Sequence, residues 1–101
     1  MYLIIWEYQV RPKHLPDFEK IYASDGAWAK LFNKNEGYLG TELLRDETDS
    51  RRFLTIDRWE SVEAFNEFKA NRQTEYEALD AQCEGMTEQE TLLGRYNLNT
   101  R

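Results

Sequence analysis

Asp57 has the setting in this chain that most invites chemistry. It stands in the run Arg52-Phe53-Leu54-Thr55-Ile56-Asp57-Arg58-Trp59, where strict alternation puts it on the same face as Phe53 and Trp59. A carboxylate on an apolar face is costly unless paired, and burial raises its pKa toward values suited to proton abstraction. Arg58 and Arg72 are the candidate partners for Asp57 or for Glu7. The same residues serve equally well as a structural ion pair or a dimer contact. Arg72 and Tyr76 recur on a helical stripe with Val62, Phe65, Phe68, Leu79 and Cys83. Asp57, Arg72 and Tyr76 therefore form the candidate catalytic set. Trp28, Phe32, Phe65 and Phe68 point from helices toward the sheet, and Trp59 ends the third strand. Large rings that pack imperfectly leave room for a flat apolar ligand, so these five are the candidate substrate-binding residues. Each ring taken singly is ordinary core material.

Other chemistries find little support. Gly37 and Gly40 bracket Tyr38-Leu39 and read as turn and strand glycines, not as a phosphate-binding loop. There is no Cys-x-x-Cys pair, and His14, three residues before Asp17, is the only histidine, so no metal site is expected. With a single histidine available as base, a Ser-His-acid triad has no footing. Cys83 falls on the apolar helical stripe, where a cysteine behaves as a small hydrophobe.

The elements that must position these groups are legible from periodicity. Tyr2 to Val10 alternates as a strand and stops at Arg11-Pro12. Leu15, Phe18, Ile21, Tyr22, Trp28, Leu31 and Phe32 have helical spacing, with a break expected at Ser24-Asp25-Gly26. Tyr38–Arg45 and Phe53–Trp59 read as an antiparallel hairpin across the polar run Asp46–Ser50. Ser61 offers an N-cap to a helix that runs on the apolar stripe as far as Gly85. Thr87-Glu88-Gln89-Glu90 has capping-box spacing and suggests a short turn, with the last strand over Thr91–Asn97. The order βαββαβ is that of an α+β, ferredoxin-like fold with a four-stranded antiparallel sheet. Its strands are apolar on both faces, whereas the helices of such a domain cover only one. A second copy of the chain is the simplest cover, so a homodimer packed sheet to sheet is expected.

Composition narrows the remaining classes. The 101 residues, 41% of them hydrophobic and 14% aromatic, suffice for one packed domain spanning 1–101. A net charge of -6 disfavours a polyanionic partner, so neither nucleic acid nor membrane is expected. The RNA-recognition motif shares this element order, but here Asp57 interrupts the aromatics of the third strand. One cysteine, no basic leader and no long apolar run point to a cytoplasmic protein.

A family resemblance adds to this reading. Gly37-Tyr38-Leu39-Gly40-Thr41-Glu42-Leu43-Leu44-Arg45-Asp46 resembles the second strand of the antibiotic biosynthesis monooxygenase domain. Phe53 through Ser61, followed by Ala64-Phe65, resembles its third strand and helix start, with Trp-Glu-Ser the most specific part. Tyr76-Glu77-Ala78-Leu79-Asp80 and Leu92-Leu93-Gly94 are similar to its ending. The resemblance implies a dimeric α+β barrel and a pocket residue at Trp59. It also implies a cofactor-independent monooxygenase acting with O2 on a small anthrone- or quinol-like aromatic. A non-catalytic ligand-binding or interaction module and a non-oxidative, isomerase-like enzyme share that fold. Relatives that degrade haem carry asparagine, tryptophan and histidine where this chain has Glu7, Phe68 and Ala78, so haem degradation is not expected.

Overall fold

The computed structural model describes residues 1–99, and the expected order of elements is present in it. Strand β1 (Tyr2–Val10) is followed by a 3-10 turn, Pro12–His14, and by helices α1 (Leu15–Tyr22) and α2 (Ala27–Phe32). Strands β2 (Tyr38–Arg45) and β3 (Arg52–Trp59) form the hairpin, helices α3 (Val62–Asn71) and α4 (Gln73–Cys83) come next, and β4 (Thr87–Asn97) closes the sheet. The strands are antiparallel in the order β2-β3-β1-β4. This is the ferredoxin-like arrangement.

Local signals explain most boundaries. Gly26 separates α1 from α2 because a Cβ there would lie 2.3 Å from the Ile21 carbonyl oxygen, a contact no other residue tolerates. The Ser61 hydroxyl accepts the Ala64 N–H at 3.1 Å and starts α3. Gly85, at φ +88°, follows the last turn of α4 in the left-handed conformation that favours glycine.

Two expectations need correction. The single long second helix is divided at Arg72, whose φ of -123° leaves the helical region. No glycine or proline marks this place, so periodicity reads straight through it. The segment Thr87–Glu90 is not a turn but the start of β4, pairing with Tyr8 through Val10. The Thr87 and Glu90 side chains do meet, at 3.2 Å, yet the ladder with β1 takes the backbone groups that a helix would have used.

Register sets what faces the helices. Four rungs cross the covered face: Tyr38–Trp59–Tyr2–Asn97, Thr41–Asp57–Ile4–Arg95, Leu43–Thr55–Trp6–Leu92, and Arg45–Phe53–Tyr8–Glu90. The core lies between this face and the helices, where Phe18, Phe53, Trp59, Phe68 and Val10 are fully enclosed. Phe53 and Trp59 are thus spent on the core, not on an open sheet face where bases would stack. The opposite face carries Leu3, Ile5, Leu54 and Ile56, half-buried, with Leu44 and Tyr96 41% and 49% exposed. Ion pairs Glu7–Arg52 and Glu42–Arg58 lie on that same face. Among the described residues no helix is long and apolar enough to cross a membrane.

Candidate functional site

A cavity of about 250 Å³ lies between the covered sheet face and the helices. Its floor is Ile4, Trp6 and Tyr8 from β1, Thr55 and Asp57 from β3, and Thr41 from the edge strand β2. Tyr22, Trp28, Phe32, Phe65 and Tyr76 wall it from the helices, and Lys69, Asp80, Glu90 and Arg95 complete the lining. Aromatic walls over a floor with a few polar groups are the usual make-up of a small-molecule pocket. The volume sits just below the common range of roughly 300–1,000 Å³, which suits a compact ring system.

Asp57 is the buried charge of this floor, only 8% exposed. The Thr41 hydroxyl donates to its Oδ1 at 2.7 Å, and with that proton committed, the Tyr38 hydroxyl donates to Thr41 at 2.6 Å. A parallel contact joins the Tyr8 and Thr55 hydroxyls at 3.1 Å. Neither expected arginine reaches Asp57. Arg58 points to the other sheet face and pairs with Glu42, while Arg72 holds Glu75 at 3.0 Å and Asn35 at 3.4 Å. Among the described residues no cation lies within 4.0 Å of Asp57. Burial therefore dominates, the Thr41 hydrogen bond offsets only part of it, and the pKa is pushed up to about 6.

Of the residues singled out from sequence, the fold brings Asp57, Tyr76, Trp28, Phe32 and Phe65 together around the cavity. Tyr76 stacks edge-on to Trp28 at 5.1 Å, and burial raises its phenol above the usual value. Trp59 and Phe68 are fully enclosed behind Phe32 and Phe65 and do not line the cavity. Alternation correctly put Trp59 on the covered face, but α2 and α3 close over it. Arg72 is also outside the lining, because the helix break turns it toward Asn35. Glu7 lies on the opposite sheet face with Arg52, and Ala78 is exposed on α4. Sequence reasoning did not pick out Thr41, Tyr8, Thr55, Lys69 or Arg95 for this site. Among the described residues no group of three or more His, Cys, Asp or Glu is placed to hold a metal ion.

A split βαβ sheet with helices on one face and an aromatic-walled cavity holding one buried carboxylate defines a ferredoxin-like α+β fold built around a ligand-sized space. The profile of the Antibiotic biosynthesis monooxygenase family matches residues 1–78, and the chain belongs to that family. Solved structures agree on the fold. SnoaB from Streptomyces nogalater, described as a cofactor-independent oxygenase, superposes with a TM-score of 0.71 at 18% identity, covering 99% of this chain and 94% of its own. A protein of Deinococcus radiodurans whose name places it in the same family gives 0.76 at 15% identity, covering 100% and 95%. A point variant of MhuD, solved with two manganese protoporphyrin IX molecules per active site, gives 0.68 at 23% identity, covering 97% and 94%. Comparison with curated proteins finds no match.

Proposed function

We propose that this chain is a cofactor-independent monooxygenase that oxidises a small electron-rich aromatic, anthrone- or quinol-like, with O2. The observation that carries this reading is Asp57, a buried carboxylate with no cation partner among the described residues and a pKa of about 6, on the floor of an aromatic cavity. Family membership and the likeness to SnoaB support it.

For an anthrone-like substrate the chemistry balances: one ring methylene and one O2 give one ring carbonyl and one water. Asp57, ionised at neutral pH, takes a proton from the methylene carbon. The resulting carbanion passes one electron to O2, and the substrate radical and superoxide combine through a new C–O bond. Asp57 or the neutral Tyr76 phenol protonates the peroxide. Loss of the second C–H proton then breaks the O–O bond, leaves a carbonyl and releases the distal oxygen as water. The methylene carbon supplies all four electrons. Trp28, Phe32 and Phe65 hold the ring and exclude water. Arg72, joined to Glu75 and Asn35, is a positioning residue at the α3–α4 junction that carries Tyr76.

Oxygen uptake with a panel of anthrones and hydroquinones tests the reading. Protein-dependent uptake above autoxidation is expected, and Asp57→Asn should lower it about 10²- to 10⁴-fold. Uptake undiminished in that variant would remove Asp57 as base. Turnover without oxygen would favour the isomerase-like chemistry, and binding without turnover the ligand-binding module.

The same reading includes a homodimer formed through the uncovered sheet face. Apolar Leu3, Ile5, Leu54 and Ile56 on the two central strands form a surface that water would otherwise wet. Sedimentation equilibrium should give twice the 12.1 kDa chain mass, and Ile5→Glu with Leu54→Glu should give the single-chain mass with retained far-UV circular dichroism. A wild-type monomer at micromolar concentration would sink the dimer.

A further inference from the structure

The floor of the cavity carries a cation opposite its base. Asp57 and Arg95 occupy the same rung of the sheet, one on each side of Ile4. Two inter-strand spacings separate their backbones by about 10 Å. Lys69 reaches the same end from α3, its Nζ lying 3.5 Å from the centroid of the Tyr76 ring, while the Arg95 guanidinium sits 5.4 Å over Phe65. Among the described residues neither cation has a carboxylate within 4.0 Å. Burial, and next the charge of Arg95, hold the Lys69 ammonium below its usual pKa, while Asp80 and Glu77 act on it in the opposite sense. Two neighbouring cations that repel each other across aromatic rings leave a place for one anion.

The acidic lining residues do not fill that place. Glu90 pairs with Tyr8, four residues along β1 from the Arg95 rung, which is about 13 Å at strand spacing. Asp80 lies one turn beyond Tyr76 on α4. It repels the Glu90 carboxylate and attracts the Lys69 ammonium, without an ion pair to Lys69. Lys69 and Arg95 therefore stand at the Ile4 end with Asp57 across the rung from Arg95, while Glu90 stands toward the Tyr8 end.

We propose that Lys69 and Arg95 form a carboxylate-binding subsite, so that the substrate is an aromatic acid whose carboxylate lies across Ile4 from the position attacked by Asp57. This rests on the reading of the cavity as an aromatic-substrate site with Asp57 as base. It narrows the substrate from electron-rich rings in general to ring acids, since Arg95 and Lys69 would hold the acid at a fixed distance from the base.

The test is a binding comparison that needs neither turnover nor oxygen. Naphthalene-2-carboxylate and naphthalene-2-carboxamide share shape and differ in charge, and tryptophan fluorescence reports either one entering beside Trp28. The carboxylate should bind the wild type at least about tenfold more tightly than the amide, as expected for a charge-assisted contact. Lys69→Met with Arg95→Met, which keeps the apolar stems, should equalise the two ligands without lowering affinity for the amide. Asp57→Asn should retain the preference. Equal affinities in the wild type, or a preference that survives in the double variant, overturns the subsite alone. Failure of both ligands to bind at about 1 mM overturns the subsite and the aromatic-site reading together. A retained carboxylate preference in a protein that takes up no oxygen would sink the oxygenase reading and leave the subsite standing.

Discussion

Asp57→Asn is expected to stabilise the protein at neutral pH by about 2–3 kcal/mol while lowering turnover about 10²- to 10⁴-fold. The carboxyl is pushed from its ordinary 3.8 up to about 6 by burial, so the folded state holds this proton more tightly than the unfolded chain does. The stability associated with the protonated form is fully present below the unfolded value of 3.8 and is lost as pH rises through about 6. At pH 7 the wild type buries a charge that no cation among the described residues compensates. Asparagine has the same shape, and its carbonyl can accept the Thr41 hydroxyl, while its NH2 group needs an acceptor and trims the gain. Urea unfolding of both proteins at pH 4 and pH 7.5 checks the sign. Asp46 and Glu75, whose pKa values are lowered by hydrogen bonds, lose stability in acid in both proteins alike. The difference between wild type and variant therefore isolates Asp57: near zero at pH 4, and in favour of asparagine at pH 7.5. Equal stabilities at pH 7.5 would mean that Asp57 is compensated or hydrated, and the case for an activated base would fall with it.

A base kept where it destabilises the fold is where sequence reading does best and then stops. Period-two alternation in β3 was enough to put Asp57 beside Phe53 and Trp59 on the covered face, because a strand has only two faces. Alternation says nothing about partners, which is why Arg58 and Arg72 stood as candidates. Arg58 is adjacent in sequence and so necessarily on the opposite face, a constraint that could have excluded it. Thr41 was also within reach of reasoning. Once Arg45 is set opposite Phe53 across the polar hairpin, Thr41 must fall opposite Asp57. Lys69 and Arg95 were not, because their meeting depends on the path of α3 over the sheet and on the bulge between Ile5 and Trp6 that sets the phase of β4. The helix break at Arg72 and the ladder that claims Thr87–Glu90 are tertiary outcomes that override a local pattern, and no residue type in either stretch announces them.

Trp59→Ala is expected to cost about 3–5 kcal/mol of folding stability, the range for deleting a large enclosed ring. Resemblance and chain position make this residue look like part of a substrate pocket, yet its side chain is fully enclosed. It packs against Tyr38, Phe68, Phe32 and Phe65 with ring centroids 5.3–5.6 Å away. It is the hub through which β3, α2 and α3 share one aromatic cluster, so removing it unpacks the wall that Phe32 and Phe65 present to the cavity. Against a typical total of about 5–15 kcal/mol, such a loss leaves the protein marginal at 25 °C. Trp59→Phe separates packing from polarity. The Trp59 Nε1–H is buried without a hydrogen-bond partner among the described residues, and phenylalanine removes that unpaired donor while keeping most of the ring contacts. It should therefore lose far less than alanine, about 1–2 kcal/mol from the smaller ring. Urea midpoints compared at one protein concentration give these differences without confusion from self-association. The two roles have opposite signatures. A structural hub gives a large drop in midpoint for alanine, and a phenylalanine variant that still binds naphthalene-2-carboxylate. A ligand contact gives midpoints near wild type and weakened binding in both variants. The enclosed position of Trp59 behind Phe32 and Phe65 predicts the first pair of results, and places the limits of the cavity at those two rings.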